Sequence, residues 1–297
     1  MQTLYAGLQE DETNQNLSVL LKNLNRHLDE SLTITITLIH LITEVARYAE
    51  KDALNRAAKN LPSFEDLNVN TKLSGNTLLW QILEHPSYQV ACKSVKPELR
   101  ISDEWVKKIY LELTKSPAFF SYIKQEGRDK KEEKAILDFI FNSLILPNEN
   151  LTDYLEEIFI HWQDDAEMME LLVPNFLLKL NNYNFQRFIS EEKRNYACDL
   201  LKAVLEKKEV CSRLIESKLQ NWDPERTALL DMILMRMGIC EFLYFETIPP
   251  KVTINEYIDL AKEYSTPQSG HFVNGILDSI RKELETENKL HKVSHKK

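Results

Sequence analysis

The sequence predicts an all-α protein, on three observations. Glycine and proline are scarce, 6 and 10 in 297 residues, too few for the turns that a β-sandwich or barrel needs about every 8 to 12 positions. Leucines recur in steps of three and four near the start of the chain. Towards its end, helix start signals follow one another.

Leu17, Leu20, Leu21, Leu24, Leu28 and Leu32 share one helical face. Residues 32–38, Leu-Thr-Ile-Thr-Ile-Thr-Leu, alternate with period two and are rich in β-branched side chains, which alone reads as a strand. Helical patterns flank them with no turn residue between, so the assignment is helix. From Leu61-Pro62-Ser63 to Gly75-Asn76 the periodicity lapses into a loop. After His85-Pro86 and Lys96-Pro97, helices are expected from about Ser102 to Thr114 and from about Lys131 to Leu146, the second stopping before Pro147. Thr152 is the expected cap of the next. Pro174 starts or kinks another, carrying Phe176, Leu177 and Leu180.

Further on, Tyr196, Leu200, Val204 and Leu205 line one face, and Val210, Leu214, Ile215 and Leu219 the next. Asp223-Pro224 reads as an N-cap with proline at the first helical position. The helix it opens, to about Phe245, is apolar almost all round and is expected at the centre of its subdomain. Pro249-Pro250 forces a stop. Thr253 and Glu256 have the spacing of a capping box for a helix reaching about Tyr264, and Thr266-Pro267 repeats the cap-plus-proline device. The last helix is expected to bury Phe272, Val273, Ile276, Leu277, Ile280 and Leu284.

The net charge of −9 argues against a general nucleic-acid coat, since such binding is largely phosphate neutralisation, and leaves a local basic patch open. The acid is uneven. Asp153, Glu156, Glu157, Asp164, Asp165, Glu167 and Glu170 fall within 151–170, which has no Lys or Arg. Lys289, Lys292, Lys296 and Lys297 cluster at the end with His291 and His295. The plain readings are a solvated helix face and a frayed tail. Cys92, Cys198, Cys211 and Cys240 form no CxxC pair and read as reduced thiols of a cytoplasmic protein. Residues 9–16 are too polar for a signal peptide, and the most lipid-like run, 32–42, is too short to span a bilayer. No glycine-rich phosphate loop, HExxH or nucleophile motif occurs. His291 and His295 have metal-ligand spacing that reads as incidental. No catalytic residue, metal or cofactor is expected, and no enzyme.

One set of residues goes beyond fold class. Asn221-Trp-Asp-Pro-Glu-Arg226, Asp231-Met-Ile-Leu-Met-Arg236, Glu241, Ile248-Pro-Pro-Lys-Val252, Ile254-Asn-Glu256, Leu260-Ala-Lys262 and Phe272-Val-Asn-Gly-Ile-Leu277 resemble, in order and spacing, the C-terminal subdomain of the NusB transcription antitermination family. Gln2-Thr-Leu-Tyr5 looks like the Q-x-L-Y element of that family's first helix. The resemblance implies a NusB-like helical bundle of two helical subdomains, the N-terminal half here enlarged by extra helices. It implies binding of a boxA-type RNA together with the small-subunit ribosomal protein NusE, acting indirectly on the RNA polymerase elongation complex, without catalysis and without a membrane. The expected divisions are 1–75 as the N-terminal segment, 76–190 as a helical insertion, 191–285 as the C-terminal subdomain and 286–297 as a basic flexible tail. The family's arginine-rich stretch before its first helix is missing ahead of Met1. With the acidic insertion, that motivates an alternative, a protein-interaction scaffold that has kept the fold and lost RNA binding.

The candidate RNA-binding residues are Tyr5, Gln268, Ser269, His271 and Phe272. Phe272 and His271 follow the N-terminal turn of the last helix, where the helix dipole favours phosphate; Phe272 either stacks on a base or opens the core stripe. Gln268 and Ser269 either bond RNA or cap the helix. Tyr5 matches a family tyrosine near the RNA face, or packs. Arg236 is expected in an ion pair with Glu241 or Glu256. Glu225 and Asp231 are the candidate NusE-facing acids, and Asn274-Gly275 is expected to allow close helix packing.

Overall fold

A computed structural model describes residues 1–10, 16–219 and 228–293. Among these the secondary structure is helical, with no strand. In chain order the α-helices are α1 (Gln2–Glu10), α2 (Leu17–Ala57), α3 (Phe64–Leu67), α4 (Thr77–Glu84), α5 (Pro86–Val95), α6 (Asp103–Leu113), α7 (Pro117–Lys124) and α8 (Lys130–Phe139). They continue as α9 (Glu149–Ile158), α10 (Trp162–Leu178), α11 (Glu191–Glu206), α12 (Lys208–Glu216), α13 (Leu229–Tyr244), α14 (Pro250–Tyr264) and α15 (Ser269–Thr286). The chain divides into two units: Met1–Arg26 with Ser190–Lys297, and His27–Ile189.

In the second unit, the strand-like threonine stretch lies in the interior of α2. Ile34, Ile36 and Leu38 are fully buried, and so are Thr35 and Thr37. A buried hydroxyl needs a partner. The Thr35 and Thr37 hydroxyls donate to the carbonyls of Ser31 and Thr33, four residues back, at 2.8 and 2.7 Å. The alternation therefore reflects a helix buried all round, its polar groups satisfied by its own backbone. By length and composition α2 could pass for a membrane span, but 72% of its most apolar window is buried inside the fold, the setting of a core helix.

A buried carboxylate organises the middle of this unit. Glu133 on α8 is 1% exposed. Its Oε1 accepts from the Tyr122 hydroxyl at 3.0 Å and from Arg128 Nη1 at 2.9 Å, and its Oε2 accepts from the Thr77 N–H. Asn76 caps α4 by accepting from the Leu79 N–H at 3.0 Å, and donates to the Glu133 carbonyl at 2.7 Å. Burial raises the Glu133 pKa, but the bonds from Thr77 and Tyr122 and the Arg128 charge outweigh it and hold the carboxyl below its ordinary value.

In the first unit, α13 packs against α1, α11, α12, α14 and α15, as a helix without a polar face requires. Glu241, 4% exposed, is its charged exception. Its carboxylate accepts from the hydroxyls of Tyr196 on α11 at 2.5 Å and of Tyr257 and Thr253 on α14 at 2.6 and 2.8 Å. Burial first, then the adjacent carboxylate, pushes both tyrosine hydroxyls above their ordinary pKa, so both stay donors. Lys292 donates to the carbonyls of Glu241 and Phe245 at 2.8 and 2.7 Å, as second donor to carbonyls that already accept the Phe245 and Ile248 N–H groups at the end of α13. The segment expected as a flexible tail is thus tied down near Val293, whose N–H bonds the Glu246 carbonyl.

Several expected helix starts are displaced. Asn148, not Thr152, caps α9, accepting from the Leu151 N–H at 3.0 Å. Helix α14 starts at Pro250, so Thr253 lies inside it and its hydroxyl serves Glu241 instead of a capping box. Gln268 holds the N-cap of α15 in place of Thr266. Pro174 lies within α10, which begins at Trp162. Asp223-Pro224 lies outside the described residues. The packing glycine is also a different one. A Cβ on Gly275 would meet nothing within 4 Å, whereas one on Gly238 of α13 would lie 3.0 Å from both Leu277 methyls and 3.3 Å from Tyr257 Cδ2.

Two outcomes follow. Gly275→Ala should stabilise the protein by up to about 1 kcal/mol through helix propensity, whereas Gly238→Ala should lower the melting temperature, because the added Cβ presses on the buried Leu277 and on Tyr257, which the Glu241 carboxylate holds in place. Thermal melts of the two variants check this. For Glu133 the folded pKa lies below the unfolded one, so its contribution is complete above the ordinary glutamate value of about 4.3 and is lost as pH falls through the folded value. Glu133→Gln should cost about 1–3 kcal/mol at neutral pH and flatten the acid limb of a stability–pH curve measured by urea unfolding.

Candidate nucleic-acid interface

The connection from α14 to α15 is built on a second buried carboxylate of α13. Asp231, in the first turn of α13, is 5% exposed. Its Oδ1 accepts from the Ser265 hydroxyl at 2.7 Å and its Oδ2 from the Ser269 hydroxyl at 2.8 Å. Ser269 Oγ also lies 3.0 Å from Ser265 Oγ and 2.8 Å from Thr266 Oγ1, and accepts from the Thr266 N–H at 3.2 Å. The cluster holds the turn and the start of α15 against α13. Gly270 brings α15 close to α14, since a Cβ there would lie 2.9 Å from Lys262 Cγ.

On that frame the predicted residues separate. Gln268 and His271 are exposed, and Gln268 makes no side-chain cap. Phe272 is half-buried, packed against the core of its unit. Ser269 is 2% exposed and its hydroxyl is engaged by the Asp231 cluster. Asp231, expected on a partner-facing surface, is instead a buried anchor, because both its oxygens are taken by serine hydroxyls. Glu225 lies outside the described residues, as do Asn221 to Arg226 around it. The Glu241 carboxylate, one of two expected partners of Arg236, is occupied by hydroxyls; Arg236 Nη2 donates to Ser212 Oγ at 3.2 Å.

Tyr5 is 40% exposed, and its hydroxyl accepts from Gln9 Nε2 at 3.0 Å. It lines a cleft of about 450 Å³ with Met1, Gln2, Leu229, Leu230, Tyr264 and Ser265. Tyr5, near the start of the sequence, and Ser265, at the head of the turn before α15, thus share one cleft, which Gln268, Ser269, His271 and Phe272 do not line. Beyond it, His271, Asn274 and Gly275 are all exposed on α15, at a spacing that puts them on one face. That face was legible in the sequence as the positions left over by Val273, Ile276, Leu277 and Ile280. Assigning Asn274-Gly275 to packing concealed it.

Asp231→Ala leaves two serine hydroxyls without their acceptor, and should cost about 1–3 kcal/mol. Amide hydrogen exchange should accelerate locally across 265–272, which a denaturation-independent exchange measurement reads directly.

The NusB family model matches residues 157–282. Transcription antitermination protein NusB of Salinibacter ruber is 42% identical over 99 residues, 33% of this chain and 62% of that protein. The protein of the same name from Methylacidiphilum infernorum is 48% identical over 83 residues, 28% of this chain and 58% of its own. For both, the matched region spans less than two thirds of the relative's length. That of Koribacter versatilis is 38% identical over 101 residues, 34% of this chain and 69% of its own. No solved structure matches the chain. With the all-α fold, the buried central helix and these relatives in hand, the chain belongs to the NusB family.

Proposed function

We propose that this chain acts in transcription antitermination in the cytoplasm, binding a boxA-type RNA together with the ribosomal protein NusE and reaching the RNA polymerase elongation complex through that assembly. The observation that carries the reading is the shared cleft of Tyr5 and the α14–α15 turn, in the unit that holds most of the family match. An exposed tyrosine ring offers a face on which an unpaired base stacks. The start of α15 beside it presents the positive end of a helix dipole to phosphate. Gln268 and His271 stand exposed at that start with hydrogen-bonding side chains. Phe272, half-buried, offers a ring edge to the same ligand while anchoring the helix, and Ser269 contributes by holding the turn. On the same reading Glu225 faces NusE.

Titrating a boxA-containing RNA and a scrambled RNA with the protein plus NusE, at one fixed salt concentration, tests the reading. The boxA complex should form preferentially and depend on NusE. Tyr5→Ala should weaken it roughly five- to 150-fold, the range of a stacking contribution of about 1–3 kcal/mol. Gln268→Ala and His271→Ala should each weaken it less, with the melting temperature unchanged. Equal binding of both RNAs, with NusE still bound, would favour an interaction scaffold instead.

A further inference from the structure

The acidic part of the second unit carries a feature that RNA binding does not use. Helix α10 is apolar on two sides. Its inner side buries Trp162, Met169, Val173, Phe176 and Leu177, each at most 3% exposed. Its outer side carries Met168, Leu171 and Leu178 at 37, 68 and 58% exposure. At i, i+3 and i+10 these three fall on one stripe, about 15 Å long at the helical rise. Isolated exposed apolar residues are ordinary. Three exposed apolar residues on one side, interrupted there by the exposed Asn175, opposite a fully buried side, are the pattern of a helix covered on both sides.

The charge around the stripe identifies what covers it. Between Lys134 and Lys179 the sequence has no Lys or Arg. Asp164 and Asp165 lie in the first turn of α10, where the helix dipole accounts for acid. Glu167 and Glu170 lie beyond it, both exposed, and step along one flank of the stripe. Neither has an ion-pair partner among the described residues. An acidic flank repels a second copy of the same stripe, nucleic acid and anionic membranes, and attracts a cationic partner.

We propose that the outer face of α10 is a docking surface for a partner protein that presents a basic amphipathic helix. Its apolar residues pack on Met168, Leu171 and Leu178, in the helix-on-helix mode of peptide recognition. Its Lys or Arg residues lie over Glu167 and Glu170, which steer association and set its orientation. The proposal is independent of the RNA reading, since it uses none of the same residues.

A fluorescently labelled Leu/Lys amphipathic helix is the probe, and anisotropy with the full chain the readout. Binding is expected to weaken about tenfold or more both in Leu171→Ser/Leu178→Ser and in Glu167→Lys/Glu170→Lys. It should weaken with added salt and persist in Phe64→Ser, which removes a side chain 81% exposed elsewhere on the same unit. All four sites of substitution in α10 are at the surface, so unchanged melting curves are expected and keep the comparison valid. The proposal fails if a Leu/Glu helix binds as well, if the α10 variants bind like the parent, or if Phe64→Ser loses binding equally. It also fails if the parent sediments as a dimer that Leu171→Ser/Leu178→Ser dissolves.

Discussion

The carboxylate of Glu241, buried among three hydroxyls, is the constraint around which the first unit is arranged. A carboxylate removed from water costs several kcal/mol unless its lone pairs are filled. Here Tyr196 on α11 and Thr253 and Tyr257 on α14 fill them. None of those donors can move without exposing the charge to an apolar interior, so the positions of α11 and α14 on α13 are specified, not merely favoured. Apolar packing alone would tolerate sliding of a helix that has no polar face; a saturated polar cluster does not.

Asp231 repeats the device in the first turn of the same helix, with serines as donors. The two carboxylates divide the work. Glu241 places α11 and α14, and Asp231 places the start of α15, where the exposed Gln268 and His271 stand. The candidate interface inherits its rigidity from a group that is not itself accessible. Lys292 completes the far end by binding carbonyls of Glu241 and Phe245, so a lysine that composition assigns to a solvated tail serves the central helix.

In the second unit Glu133 plays the corresponding part with Tyr122, Arg128 and Thr77, and the buried threonines of α2 are satisfied within their own helix. The buried carboxylates of Glu241, Asp231 and Glu133 are thus each matched by donors. The unmatched feature is on the surface: the outer face of α10, apolar and flanked by acid.

Much of the fold is legible in the order of residues. The helical class, the central position of α13 and the NusB resemblance rest on periodicity, residue spacing and the absence of polar positions, which act over a few residues and are written locally. Helix starts were less legible. Thr253 has the spacing of a cap, but a hydroxyl with two possible partners takes the one that burial makes costly to leave unfilled, and Glu241 is distant in sequence. Gly238 and Gly275 look alike as letters; only the approach of Leu277 and Tyr257 to one of them distinguishes a packing glycine from an exposed one. Asp231 reads as a surface acid until Ser265 and Ser269 are brought to it. Which segments are helical and which helix is central can be read from the order of residues, because those depend on neighbours along the chain. Which carboxylates are anchors, which glycine packs, and that Tyr5 shares a cleft with Ser265 emerge with the fold, because each depends on partners that only folding brings together.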